Sequence, residues 1–202
     1  MKLYYAPGAC SMATHIALCE AKLPHDLEQV DLRTHKTADG EDFAKINPKG
    51  YVPALRIDDA AVLTENVAVL QYVADRNPQA GLAPKAGTFE RYRLVEWLAF
   101  ISTEVHKQFS PFFRPNAGED VKAAQMQLLG RRFDYLSERL SRHQYLLDGD
   151  FTVADAYLFT VLNWTHLLKI DLGKWPAIVS YMKRVGDRPG VREAMRAEGL
   201  VK

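Results

Sequence analysis

Apolar residues Leu3 to Ala6 form a short strand-like run that breaks at Pro7-Gly8, and from there the hydrophobic period lengthens. Met12, Ile16, Cys19 and Leu23 recur at helical spacing as one apolar stripe, which marks Cys19 as a core residue, and Leu23-Pro24 ends the helix. Leu27 to Leu32 then alternates like a half-buried strand. A strand, helix, strand succession of this length predicts a right-handed parallel crossover with its two strands side by side. Arg33 to Lys49 is polar, with a brief helical hint at Glu41 to Ile46 that Asn47-Pro48 stops. Ala54 to Ile57 and Ala60 to Leu63 read as strands joined at Asp58-Asp59, and Thr64-Glu65-Asn66 leads into a helix with Val67, Leu70, Val73 and Ala74 on its apolar face. The first half is therefore expected to be βαβ then ββα.

Asn77 to Gly87, rich in Pro, Gly and Ala, reads as a linker. Everything after it has helical periodicity, with helices expected near Thr88 to Gln108, Glu119 to Arg142, Thr152 to Leu168, Trp175 to Asp187 and Val191 to Glu198. Thr152-Val153-Ala154-Asp155 matches a capping box with Asp at its last position. The fold class is thus α/β plus all-α, in two units spanning residues 1–80 and 88–202.

Composition adds mainly exclusions. With 25% charged residues and net charge +1, nothing in the electrostatics calls for nucleic acid or an anionic membrane. The run Ala156 to Leu168 is too short and polar to span a bilayer, and no signal peptide opens the sequence, so a cytoplasmic protein is expected. Cys10 and Cys19 belong to no CxxC pair and no His/Cys cluster of zinc spacing, which argues against a structural metal. If they share one helix, nine residues put them about 13 Å apart, too far for a disulfide; free thiols in a reducing compartment are expected.

Cys10 sits on the corner between the first strand and helix. Ser11 is a candidate N-cap, so the sulfur is expected near unpaired N–H groups and the positive helix end, which favour thiolate over thiol. Read locally, a buried and inert cysteine fits equally well.

The segments YYAPGACS, NPKGYVPAL, LTENVAVLQYVAD, VEWLAFISTEVHKQFSPFF and GDFTVADAYLF, in that order over nearly the whole chain, resemble the soluble glutathione transferases, and in detail the bacterial, cysteine-containing beta class. The resemblance implies a thioredoxin-like glutathione-binding domain followed by a helical bundle with the co-substrate site. It implies a cis Val52-Pro53 bond, which spacing alone leaves a minority reading. Val52 would pair, strand-like, with the cysteinyl main chain of the tripeptide. Glu65 would take the γ-glutamyl ammonium, and Asn66 with the helix N–H groups the adjacent carboxylate; simple capping is the plainer reading of both. Cys10 would face the glutathione sulfur, with Tyr5 and Ser11 available as the hydroxyls other classes use.

The same resemblance makes His106 the second catalytic residue and puts Lys107 beside it, although a lone helical histidine is usually only a satisfied side chain. Thr103 would reach glutathione held in a partner subunit of a homodimer. Phe109, Phe113 and Trp164 are candidates for the wall that receives a small hydrophobic electrophile, or else plain core. His35, Asn66 and Ala99 stand where the beta class usually has lysine, serine and asparagine. Loss of a charge-assisted contact costs about 1.5–3 kcal/mol, so weaker glutathione binding than the class norm is expected, with Lys36 a candidate substitute. The function implied is conjugation of glutathione to, or dehalogenation of, apolar electrophiles, with Cys10 able to form a mixed disulfide. The alternatives are monothiol, glutaredoxin-like exchange and a non-catalytic ligand carrier or adaptor.

Overall fold

A computed structural model describes residues 1–58 and 61–202; Asp59 and Ala60, which belong to the expected turn and the strand after it, lie outside the described residues. Strands β1 (Lys2–Tyr5) and β2 (Asp26–Asp31) flank helix α1 (Met12–Glu20) and pair in parallel, with Leu3 opposite Leu27. β4 (Ala54–Arg56) runs antiparallel to β1, and β5 (Val62–Thr64) antiparallel to β4. A further strand, β3 (Lys36–Thr37), pairs antiparallel with β2, giving the order β3-β2-β1-β4-β5. It falls in the stretch read as merely polar: two residues are too few to show a period. The helical hint before Asn47 is a single 3₁₀ turn, Phe43–Lys45, whose Ala44 N–H is capped by Asp42 at 3.0 Å.

Both faces of the sheet are covered, so the period of two in β1 serves two cores. Leu3 and Tyr5 join the large core under α1, while Tyr4 and Ala6 pack with Val30, Phe43, Val52 and Ala54 on the other side. Every residue of α1 from Met12 to Cys19 is buried, because α1 meets α2 (Asn66–Arg76), α6 (Val153–Leu168) and α8 (Pro189–Ala197). Its buried surface is the whole circumference, wider than the single apolar stripe its sequence suggests, and includes the polar Thr14 and His15. α1 ends before the proline: Lys22 at φ 52° lets its N–H reach the Cys19 carbonyl and the Leu23 N–H reach the Leu18 carbonyl, each at 3.0 Å.

The helical half differs from expectation at one important place. The helix expected to run unbroken to Gln108 is α3 (Phe89–Phe100), then a π-helical turn over Ile101–His106, then α4 (Lys107–Phe109) and a 3₁₀ turn, Ser110–Phe113. α5 (Glu119–Arg142) and α7 (Pro176–Gly186) complete the bundle around α6. The Asp155 carboxylate accepts from the Thr152 N–H at 2.9 Å and hydroxyl at 3.0 Å, the Leu146 N–H at 2.9 Å and the Tyr181 hydroxyl at 3.2 Å. Arg91, buried at the foot of α3, grips both oxygens of Asp75 on α2 at 2.8 and 2.6 Å and the Pro84 carbonyl at 2.9 Å, fastening the two halves together. Among the described residues no helix is long and apolar enough to cross a membrane.

Candidate active site

The Pro7–Cys10 corner is clamped by three distant parts of the chain. The Gly8 carbonyl accepts from Trp164 Nε1 of α6 at 2.8 Å, and the Gly8 N–H donates to Glu198 Oε2, just beyond α8, at 2.8 Å. From α2, the Asn66 amide donates to the Cys10 carbonyl at 2.8 Å while its oxygen accepts from Thr14 at 3.1 Å. Asn66 is buried, so its side chain holds the corner rather than opening toward a ligand; only backbone N–H groups at the start of α2 remain for an incoming carboxylate. The Cys10 thiol donates to the Val52 carbonyl at 3.1 Å, next to a cis Val52-Pro53 bond.

Ser11 does not cap α1 through its side chain. It is itself helical at φ −61°, fully buried, and its hydroxyl exchanges hydrogen bonds with the Ala6 main chain at 3.2 and 3.3 Å. Tyr5 is buried with its ring 6.2 Å from His15, in the large core. The Ser11 hydroxyl is thus committed to the Ala6 main chain and the Tyr5 ring to the core. The protonation of Cys10 reverses the sequence expectation. Burial pushes the Cys10 thiol up to about 12, outweighing the lowering by the Cys10 and Ser11 N–H groups and by Lys107. The helix end acts in the expected direction; desolvation by the packed elements wins.

Glu65 opens α2 at φ 71°, a sparsely populated conformation for a residue with a Cβ, and such strain of about 1–3 kcal/mol persists where the surroundings enforce it. Its Oε1 accepts from Lys49 Nζ and from the Tyr51 hydroxyl, the latter at 2.7 Å. Lys49, then Tyr51, hold the carboxyl below its usual range, and the same bond pushes Tyr51 up to about 12. Lys49 and Tyr51 escaped the sequence reading although both lie in NPKGYVPAL; a carboxylate partner sixteen residues away leaves no local signal.

On the helical side, His106 comes from the π-helical turn, a feature frequent at functional sites. Its Nδ1 lies 2.7 Å from the Tyr157 hydroxyl and its ring stands edge-on to Trp164 with centroids 4.9 Å apart. Burial, then Lys107, lower its pKa to about 4, so the imidazole is neutral near pH 7. Tyr157 is buried, lies within reach of Ser102 and Asn66, and is itself pushed up by burial and by Cys10; sequence reading missed it because a buried helical tyrosine looks like core. Trp164 gathers Phe109 and Phe113 at 5.5 and 5.4 Å. Phe109 is fully buried and supports the indole from behind, whereas Phe113 is exposed.

The remaining candidates lie farther out. Lys107 is exposed, with its charge felt at both Cys10 and Glu65. Thr103 and Ala99 are exposed one turn apart, the Thr103 hydroxyl donating to the Ala99 carbonyl at 3.0 Å. His35, at φ 55° in the β2–β3 turn, lies over Gly50, where an added Cβ would come within 3.3 Å of its ring. Two cavities, of about 890 and 810 Å³, are lined around Trp97 and Tyr135 and around Phe159 and Met195; neither includes Cys10. The site is therefore located by its chemistry.

A thiol at the first strand–helix corner, set against a Val-Pro carbonyl on a thioredoxin-like sheet with a helical half closing over it, defines a thioredoxin-fold thiol protein of two-part build. The chain belongs to the glutathione S-transferase family: residues 8–76 match the N-terminal and 100–189 the C-terminal domain of that family. It is 44% identical to the glutathione S-transferase GstA of Escherichia coli O157:H7 over 99% of this chain and 100% of that one. The fold matches a sphingomonad glutathione S-transferase complexed with glutathione at TM-score 0.95 and 43% identity, covering 100% of both chains. It matches the bacterial beta-class enzyme of Sphingomonas chungbukensis at TM-score 0.96 and 44% identity, again over 100% of both chains. These likenesses put the chain with the bacterial beta class.

Proposed function

We propose that this glutathione transferase conjugates glutathione to, or removes halide from, small apolar electrophiles, with Cys10 facing the glutathione sulfur. The observation that carries the reading is the Cys10 thiol donating to the Val52 carbonyl at 3.1 Å, since that carbonyl and that sulfur are where a cysteinyl main chain and its thiol would sit. Glu65 offers an ionised carboxylate whose Oε1 already takes Lys49 and Tyr51, so Oε2 receives the γ-glutamyl ammonium. The first N–H groups of α2 receive the adjacent carboxylate.

A thiol with its pKa near 12 is a hydrogen-bond donor rather than a nucleophile at neutral pH. Cys10 therefore turns its S–H from the Val52 carbonyl to a bound glutathione thiolate and lowers that thiol's pKa, the glutathione proton leaving to solvent, while His106 stays neutral and held by Tyr157 at the edge of the site. Mixed-disulfide formation follows a slower course. The Cys10 sulfur, once deprotonated, attacks one sulfur of oxidised glutathione; the glutathione S–S bond breaks and the released thiolate takes up the proton. Trp164 and exposed Phe113 offer the apolar wall for the electrophile.

The reading includes a sheet unit over residues 1–80 and a helical unit over 88–202, assembled as a cytoplasmic homodimer. Phe89, Tyr92 and Tyr135, each more than half exposed on α3 and α5, support a self-association face, and the two unpaired cysteines support a reducing compartment. The test is turnover of an activated aryl halide with glutathione, together with intact mass after incubation with oxidised glutathione, on wild type and Cys10→Ala. Conjugation by the wild type and one reducible adduct confined to it are expected. A protein that neither binds glutathione nor turns over any electrophile overturns the proposal.

A further inference from the structure

Apart from the Cys10 corner, the fold assembles a second group of reactive side chains at α1. His15, Cys19 and His25 each bring one ligand atom within 4.8 Å of the other two. His15 and Cys19 are four residues apart on one face of α1, and His25 returns against them through the left-handed turn at Lys22. The two rings stand edge to face with centroids 5.4 Å apart. His15 and Cys19 are buried and His25 half-buried, so the cluster has one accessible side. The expectation that Cys19 joins no His/Cys cluster, drawn from linear spacing, fails here because His25 arrives by a chain reversal.

The two imidazoles are oriented as metal ligands are. His15 Nδ1 lies 2.9 Å from Glu198 Oε1, and His25 Nδ1 lies 2.8 Å from the Leu23 carbonyl, leaving each Nε2 free to ligate. A carboxylate and a main-chain carbonyl are the usual outer partners that hold a ligating histidine in its tautomer. Glu198, buried beside His15, and Glu20, paired to Arg188, are the carboxylates nearest the cluster that the hydrogen bonds place.

We propose that His15, Cys19 and His25 bind one borderline-soft divalent cation of the zinc class, with its fourth position open on the His25 side. Two nitrogens and one thiolate are the donor set such an ion takes, at about 2.0–2.3 Å, which requires the three side chains to draw in by roughly 1 Å. As the sulfur–metal bond forms, the Cys19 proton leaves to solvent. The site is tied to the active-site corner: Glu198, which orients His15 through Oε1, holds the Gly8 N–H through Oε2 at 2.8 Å. Occupancy of one therefore stiffens the other.

The probe is Co²⁺, titrated into tag-free protein, whose bond to a thiolate produces a charge-transfer band. Wild type and Cys10→Ala are expected to develop the band and saturate at one equivalent, with Zn²⁺ displacing the cobalt. Cys19→Ser should abolish the band. His25→Ala, at a half-buried position outside the helices and strands and checked for an unchanged circular-dichroism spectrum, should weaken binding by at least about tenfold. The proposal is overturned if wild type shows no band at millimolar Co²⁺, if the band follows Cys10 instead of Cys19, or if His25→Ala binds as wild type does.

Discussion

The reactivity of Cys10 toward a small uncharged disulfide separates the two forces acting on its sulfur. An ordinary cysteine, with pKa about 8.5, is roughly 3% thiolate at pH 7; a thiol near 12 is about one part in 10⁵, some 3,000-fold less. A more basic thiolate is intrinsically more nucleophilic, and a Brønsted slope of about 0.4–0.5 over 3.5 pKa units returns roughly 25- to 60-fold. Cys10 is therefore expected to exchange about 100-fold more slowly than free cysteine at pH 7. Its rate should climb about tenfold per pH unit up to pH 10 without levelling. The assay is quenched labelling with peptide mass spectrometry, which separates Cys10 from buried Cys19. A plateau with a midpoint below pH 9, or a rate at pH 7 matching free cysteine, would refute the reasoning and show that the helix end outweighs desolvation.

Three further outcomes are expected. Asn66→Ala strands the Cys10 carbonyl and the Thr14 hydroxyl and should cost about 2–4 kcal/mol in urea unfolding, with Cys10 labelling accelerated; a change under about 0.5 kcal/mol in stability would exclude the clamp. His106 should titrate by NMR near pH 4, not 6.5. Because the unfolded chain binds that proton first, stability falls by about 3 kcal/mol as pH drops from about 6.5 to 4; a midpoint near 6.5 would contradict its burial. Asp155→Ala removes the acceptor of two buried N–H groups and two hydroxyls and should lower Tm by about 10 °C, from a loss near 4 kcal/mol; a drop under about 2 °C would contradict that accounting.

Local chemistry made much of the molecule readable. Thr152 and Asp155 sit three residues apart, so their capping box is written in one turn of chain, and the structure contains it. The Pro7-Gly8 break, the parallel pairing of β1 with β2 and the helical run after residue 88 follow likewise from periods and breakers that neighbouring residues set. The family resemblance carried the cis Val52-Pro53 bond, which spacing alone does not supply, whereas the helical location of His106 was already in the periodicity of Thr88 to Gln108.

What the tertiary structure decided is where many elements act on one atom. Cys10 carries the expected helix-end N–H groups, yet its proton is kept by desolvation, which depends on packing that no stretch of sequence contains. Glu65 is held at φ 71° between β5 and α2 and paired to Lys49 from the loop ahead of β4, and Asn66 is turned inward by Thr14 and Cys10. His15, Cys19 and His25 meet only because α1 reverses into β2. Periodicity and capping are short-range and survive in the linear text; burial, field and coordination are sums over distant neighbours and exist only once the chain has closed on itself.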